Sequence, residues 1–351
     1  MSEPMSVFVG MDVGDKTSQL TVLDPCGRVI QTATIRTAPA AVAAWFTRCQ
    51  RARVVLEVGT HSRWLARAIT ALGHDVVVAN PRRTQLIANS RNKSDRRDAE
   101  LLARLGRFDP QLLGPIQHRS EEAQGDLVVI RARDALVRER TRLINHARGI
   151  VKSFGVRLCR CSPESFHKRA LDQVPDHLRP ALGPIFSCIE VTNLQIVACE
   201  ERIQRRAREA YPETARLEQV SGVGPITSLA YVLTLEDPAR FRNSRAVGAF
   251  VGLTSARRQS GDTDPECHIT KAGDPLLRRL LVNCAHYVLS RGPESDLKRW
   301  GLALAMRGKK NAKKRAVVAT ARKLAVLLHR LWVTGEQYVA TGYTPSRPLA
   351  A

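Results

Sequence analysis

The chain is predicted to fold as a mixed α/β unit followed by an all-α remainder. Three observations predict this. Residues 6–35 hold three apolar runs separated by short turn sequences. Residues 38–79 then alternate helical and strand periodicity. Beyond residue 121, Gly and Pro thin out and apolar residues recur at helical spacing. With 351 residues, 44% of them hydrophobic, the chain is long enough for two or three domains with buried cores.

The elements follow in order. Residues 6–12 are an apolar run ending on Asp12, and strands over 18–23 and 29–35 follow the turns Gly14-Asp15 and Pro25-Cys26-Gly27. Connections this short make the three an antiparallel meander. A helix is expected over 38–50, a buried strand over 54–57, a helix over 63–71 and a strand over 76–79. Three antiparallel strands and then alternating helices and strands are the order of the RNase H/RuvC-like fold. This unit is assigned to residues 1–115.

Residues 116–212 are assigned to a basic coiled-coil helical region. Between Glu121 and Phe154, apolar pairs recur every seven residues (Val129/Ile130, Leu136/Val137, Leu143/Ile144, Ile150/Val151), which calls for a partner helix along one seam. After the prolines at 163, 175, 180 and 184, residues 185–211 are helical again and are placed to return antiparallel. Residues 213–340 form a second helical region. In it, Asp274-Pro275 serves as N-cap and first helical residue, and a last helix runs from about Asn311. The tail, 341–351, is expected to be disordered.

Lys and Arg number 55 against 33 Asp and Glu, a net charge of +22. So large an excess on a folded chain repels itself unless a polyanion relieves it, which points to nucleic acid. No stretch reaches about 18 uninterrupted apolar residues, no basic-then-apolar leader opens the chain and no lipidation signal is present, so a membrane protein is not expected and a cytoplasmic location is. Eight cysteines lie scattered without a C-x-x-C pair, consistent with reduced thiols rather than a zinc site.

Three groups of residues carry candidate chemistry. Asp12 and Glu57 each end an apolar strand, and Asp95 and Asp98 are three apart at the start of a helix, so they share a face. Four carboxylates in a basic protein suit two hard cations clamping a phosphodiester; taken singly, each also reads as a structural acid or a helix-dipole partner. Gly222-Val223-Gly224-Pro225 lies between apolar helical stretches and resembles a helix-hairpin-helix that grips a DNA backbone, or else is a plain interhelical turn. Ser260, in Arg257-Arg258-Gln259-Ser260-Gly261-Asp262, is placed for exposure beside arginines that could hold a phosphate, or lies in an ordinary surface loop. Further candidate nucleic-acid contacts are Lys93, Arg96, Arg97, Arg131, Arg138, Arg142, Arg257, Arg258, Lys271, Lys309 and Lys310, with Gly222 and Gly224.

At these residues the chain resembles a known family, the insertion-sequence transposases with an N-terminal RuvC-like DEDD domain and a C-terminal serine domain, whose founding branch is insertion sequence one-ten. The matching segments include Val9-Gly10-Met11-Asp12-Val13, Asn92-Lys93-Ser94-Asp95-Arg96-Arg97-Asp98-Ala99, Val220-Ser221-Gly222-Val223-Gly224-Pro225, Gln259-Ser260-Gly261 and Ile269-Thr270-Lys271-Ala272-Gly273-Asp274. Together they span about residues 7–340 in the family's order. One departure is the loop after the second acid, Val58-Gly59-Thr60-His61, where many members have Ala-Thr-Gly. The resemblance implies that Asp12, Glu57, Asp95 and Asp98 bind Mg²⁺, with Mn²⁺ as a substitute. It further implies that Ser260 is the nucleophile forming a phosphoserine link to DNA. A structured noncoding guide (bridge) RNA would choose donor and target DNA, and the protein would act as a dimer assembling to a tetramer. The alternatives are a metal-only RuvC-like nuclease or junction resolvase, and a non-enzymatic basic nucleic-acid-binding protein.

Overall fold

The computed structural model describes residues 7–87, 94–265, 267–308 and 311–342. Its chain divides into two compact units, Met1–His118 and Arg119–Ala351.

The first unit is built on a five-stranded sheet of order β3-β2-β1-β4-β5. The strands are β1 (Val7–Val13), β2 (Thr17–Leu23), β3 (Val29–Arg36), β4 (Ala52–Glu57) and β5 (Asp75–Ala79). β1, β2 and β3 pair antiparallel, as the short turns require, whereas β4 joins β1 and β5 joins β4 in parallel through helical crossovers. Helices α1 (Pro39–Arg48) and α2 (Ser62–Ala71) cover one face, where Val9 and Met11 pack with Val42, Phe46, Leu65 and Ile69.

α3 (Pro81–Ile87), which the periodicity does not reveal, follows β5; its Asn80-Pro81 start is the signal, with the Asn80 side chain accepting from the Arg82 amide. α4 (Asp95–Phe108) lies on the opposite face of the sheet from α1 and α2. Its contact with β1 is close because Gly10 has no side chain: a Cβ there would stand 1.9 Å from the Ala99 carbonyl oxygen.

The second unit opens with α5 (Glu121–Ser153), followed by the short α6 (Phe166–Arg169) and by α7 (Arg179–Ala210). Polar bridges run along α5 and α7 at intervals of about seven residues. Arg206 donates to Asp126 at 2.9 Å, Arg133 to Glu200 at 2.8 Å and Arg140 to Asn193 at 2.8 Å. Numbers rise on one helix as they fall on the other, so the pair is antiparallel. α7 contains an 18-residue window of mean hydropathy 1.4, long and apolar enough to cross a membrane. Its buried Leu182, Phe186, Ile189, Ile196 and Ile203 face inward, so part of that apolarity is met within the chain.

At one end of the pair, Ile144, Ala147 and Val151 enclose a small core with Phe166, Leu182, Phe186 and Ile189. At the other end, Ala123, Leu127, Ile130, Ile203 and Ala207 belong to the large core formed with the rest of the unit. That remainder comprises α8 (Glu213–Leu217), α9 (Pro225–Leu235), α10 (Arg245–Phe250), α11 (Pro275–Ser290), α12 (Asp296–Met306) and α13 (Ala312–Thr334). α12 is a further helix that the sequence reading leaves unassigned, although Ser295 caps it by accepting from the Lys298 amide. α9 is buried from Thr227 to Leu235, and Tyr231 within it donates its hydroxyl to the Ala325 carbonyl at 2.6 Å.

The helix pair also sets an acid response. Burial pushes the Asp126 carboxyl upward, but hydrogen bonds from Arg206 and Tyr211 and the nearby Arg206 and Arg202 charges outweigh it and leave the group below its ordinary value. Burial likewise opposes, and arginine contacts overcome, the shift at Asp134 and Asp274. A depressed carboxylate contributes its full stability above the unfolded value of about 4 and loses it as pH falls through the lower folded value. Thermal melting of the second unit is therefore expected to drop below about pH 4. Asp126→Asn should lower stability at pH 7 by roughly 1.5–3 kcal/mol and flatten the acid limb; an unchanged limb would contradict the assignment.

Candidate active site

The carboxylates reach one edge of the first unit by strand register and helix pitch. β1 and β4 pair with Met11 opposite Leu56, so the next residues, Asp12 and Glu57, are level at the C-terminal ends of two parallel strands. Phe8 and Gly10 face α4, Phe8 packing with Ala103 and Gly10 abutting Ala99. Side chains alternate along a strand, so Asp12 shares their face. Two residues of strand advance about 6.7 Å and four of helix about 6 Å, so steps from Phe8 to Gly10 to Asp12 match steps from Ala103 to Ala99 to Asp95. In the same way Val55 packs with Leu102, which brings Glu57 to the level of Asp98.

Asp12 and Glu57 thus lie at the end of the sheet that faces the first turn of α4, the turn that carries Asp95 and Asp98. Ser94 caps that helix by accepting from the Arg97 amide at 3.4 Å, and both aspartates also favour the positive end of its dipole. The oxygen donors are those that Mg²⁺ prefers. Among the described residues, however, no three His, Cys, Asp or Glu side chains close on a point that could hold an ion. The backbone thus brings the set to one edge. Arg96 and Arg97 are exposed on the same first turn, while Lys93 lies outside the described residues.

The departing loop adds a feature that the sequence reading does not identify. The Trp64 indole donates to His61 Nδ1 at 3.0 Å. Indole only donates, so the proton of neutral His61 is on Nε2, which is 3.3 Å from Asp15. The turn after Asp12 and the loop after Glu57 are thereby tied together.

In the second unit Ser260 occupies the tip of a hairpin. The Ser260 amide donates to the Thr263 carbonyl and the Thr263 amide to the Ser260 carbonyl, each at 3.0 Å. This closes a two-residue Gly261-Asp262 turn, with Gly261 at φ 55°, the left-handed conformation such turns demand. The stems pair at Ser255 and Ile269, and Arg257 reaches Asp264 at 3.2 Å. Ser260 is exposed, and its hydroxyl has no hydrogen-bond partner among the described residues. Arg258 beside it is exposed as well. Exposure of the serine is legible from the neighbouring glycine; the hairpin is not, because its stems carry polar residues rather than alternating apolar ones.

Gly222-Val223-Gly224-Pro225 joins the five-residue α8 to α9. Gly222 has φ 91°, and a Cβ there would sit 2.7 Å from the Tyr287 ring. The basic face of α5 is less one-sided than its sequence suggests. Arg131 pairs with Asp274 at 3.0 Å, Arg133 with Glu200, Arg138 with Asp134, Arg140 with Glu164 at 3.0 Å and Arg142 with Glu139. Asp274, Glu200 and Glu164 come from distant sequence, so the charge run alone could not reveal them. Arg138 and Arg142 nevertheless remain 64% and 73% exposed and open to an added polyanion. Lys271 is exposed with φ 53°, and Lys309 and Lys310 lie outside the described residues.

Comparison with known proteins bears on both regions. A family model described as "Transposase" matches residues 9–155, and one described as "Transposase IS116/IS110/IS902 family" matches residues 214–299. The first match includes all four acids and the second includes Ser260. The chain is 28% identical over 341 residues to the transposase for insertion sequence element IS1111A of Coxiella burnetii, covering 94% of this chain and 91% of the relative. It is 31% identical over 305 residues to the putative transposase y4rJ of Sinorhizobium fredii, covering 78% and 75%. It is 28% identical over 293 residues to the transposase for insertion sequence element IS1328 of Yersinia enterocolitica, covering 82% and 85%.

Proposed function

The chain belongs to the IS116/IS110/IS902 family of transposases, enzymes that act on DNA, and on that premise we propose that it cuts, exchanges and rejoins DNA strands through a phosphoserine at Ser260. The observation that carries this reading is the exposed Ser260 hydroxyl at the tip of a tight hairpin, without a hydrogen-bond partner among the described residues and beside the exposed Arg258. In the cutting step Ser260 Oγ bonds to phosphorus and the bond from phosphorus to one deoxyribose oxygen breaks. That oxygen takes up a proton, and the serine proton passes to solvent. In the joining step a deoxyribose hydroxyl of the new partner strand attacks phosphorus and gives up its proton to solvent, the Oγ–P bond breaks and the serine is reprotonated. One phosphodiester is replaced by another, so the ester energy is conserved.

Asp12, Glu57, Asp95 and Asp98 are the residues that would hold Mg²⁺, with Mn²⁺ as a substitute; their oxygen-only donor set and common edge support this. When bound, the cation supplies positive charge at the reacting phosphate and lowers the pKa of a coordinated hydroxyl. Arg96 and Arg97 beside the acids, and Arg257 and Arg258 beside the serine, hold phosphates of the two strands. The Gly222–Pro225 turn grips the DNA backbone in helix-hairpin-helix fashion, and exposed Arg138, Arg142 and Lys271, with Lys93, Arg131, Lys309 and Lys310, extend the contact.

The net charge of +22 suits a second polyanion, a structured guide RNA that selects donor and target by base pairing. The protein works as a dimer that assembles to a tetramer, in the prokaryotic cytoplasm where the DNA lies; exposed Val191, Leu194 and Val197 along α7 offer an apolar face for a second copy.

The test is strand exchange by the purified protein, with RNA transcribed from the flanking element, on nicked suicide DNA that traps covalent intermediates. Protein-linked DNA that forms with Mg²⁺ and disappears on chelation, with DNA binding retained, is the expected result. Cleavage without protein-linked DNA would favour a metal-only nuclease, and binding without any cleavage a non-enzymatic nucleic-acid-binding protein.

A further inference from the structure

We propose that Arg278 is a positioning residue that aims the Ser260 hairpin. This inference rests on the assignment of Ser260 as nucleophile.

The hairpin has little of its own to hold it. Between Thr254 and Thr270 the stems meet at the Ser255–Ile269 bridge, at hydrogen bonds from the Ala256 amide to the His268 carbonyl and from the Thr270 amide to the Thr254 carbonyl, at the Arg257–Asp264 pair and at the tip turn, and the stretch from Arg257 to Thr263 is exposed throughout. A freely swinging tip would present its hydroxyl to phosphorus in many directions, and an error of about 1 Å in such an attack costs on the order of 10²-fold in rate.

Its base, by contrast, is clasped. Gly252 and Ala272 press together so closely that a Cβ on Gly252 would stand 2.3 Å from the Ala272 amide nitrogen. Gly273 presses reciprocally on Phe250, with 2.0 Å from an added Cβ to the Phe250 carbonyl oxygen. These contacts keep the stems together, and the Leu253 amide, donating to the Gly248 carbonyl at 2.9 Å, holds the first stem to α10. Arg278 fixes both stems against α11. From the first turns of α11, its Nη1 donates to the Val251 carbonyl at 3.1 Å and to the Ala272 carbonyl at 2.7 Å. One guanidinium nitrogen therefore bridges the two stems and ties both to a helix.

That helix is itself anchored. The Asp274 side chain caps it by accepting from the Leu276 and Leu277 amides and also receives Arg131 of α5, while Arg279 pairs with Asp134 of α5. The direction of the serine is thus set by α5 and α11 through Arg278 rather than by the hairpin's own pairing. Guanidinium suits this task because the two N–H groups on Nη1 are held in one rigid plane and so meet two carbonyls at set angles, whereas a lysine ammonium turns freely on a flexible stem.

The experiment measures single-turnover formation of protein-linked DNA at saturating suicide substrate for wild type, Arg278→Lys, Arg278→Gln and Ser260→Ala. DNA affinity, melting temperature and trypsin cleavage after Arg257 and Arg258 are measured in parallel. Expected are adduct rates lower by about 10²-fold in Arg278→Gln and about tenfold in Arg278→Lys, with DNA affinity within about twofold and faster tryptic cutting of the hairpin. A wild-type adduct rate in either folded variant overturns the proposal. So does a rate loss matched by an equal loss of DNA affinity, or failure of both variants to fold, since either makes Arg278 an ordinary structural residue. Persistence of adducts in Ser260→Ala refutes the nucleophile assignment itself, a separate outcome from failure of the positioning role.

Discussion

Ser260→Ala is expected to form no protein-linked DNA and to lose strand exchange by about 10⁴–10⁶-fold, the scale on which removing a covalent nucleophile acts. The fold should not notice the change. Ser260 is exposed, its hydroxyl has no partner among the described residues, and the turn is held by its backbone and by Gly261. Melting temperature and DNA affinity should therefore stay at wild-type values, and RNA binding with them. Gel-shift assays, a melt and a suicide-substrate trap on one preparation separate these quantities. Adducts that persist in Ser260→Ala would remove the serine from the chemistry and leave the hairpin as a surface loop.

Asp12→Asn should lower strand exchange by about 10³-fold, the loss that follows when charge stabilisation at a reacting phosphate is taken away. The amide is the same size as the carboxylate, so the close fit of β1 against α4 survives, while an anionic oxygen is lost from the edge where Glu57, Asp95 and Asp98 gather. A right shift in the Mg²⁺ dependence should accompany the loss of rate, with DNA binding intact. Asp12 also has an interaction partner, so the melting temperature is measured alongside to separate a fold effect from a site effect. A variant as active as wild type across a Mg²⁺ titration would end the assignment of the four acids.

Much of the first unit can be read from its residues because its cues are local. Gly14-Asp15 and Pro25-Cys26-Gly27 mark turns, and runs ending on Asp12 and Glu57 mark strands whose register then makes the two acids level. Asp95 and Asp98 are placed by the same logic, since a helix that starts there sets their spacing. What brings them under Asp12 and Glu57 is the tertiary contact through Gly10, which no local pattern reports. α3 and α12 escape because their apolar pattern is short, leaving only the caps Asn80 and Ser295 as signals.

The basic face of α5 shows where reading charge along a chain runs out. Only Asp134 and Glu139 oppose its arginines locally, yet Asp274 lies 143 residues from Arg131 and Glu200 lies 67 from Arg133. Only packing brings these acids in. The clasp of Gly252 and Gly273 is hidden for the same reason: each glycine looks like an ordinary loop residue until its partner strand is in place.

The attachment of DNA to the Ser260 oxygen is tested most directly by mapping the trapped adduct. After nuclease trimming and trypsin digestion, a nucleotide remnant should be found on the peptide running from residue 259 to residue 271, with fragmentation placing it on Ser260. A remnant on any other residue, or trapped cleavage products with no peptide attached, would contradict that chemistry.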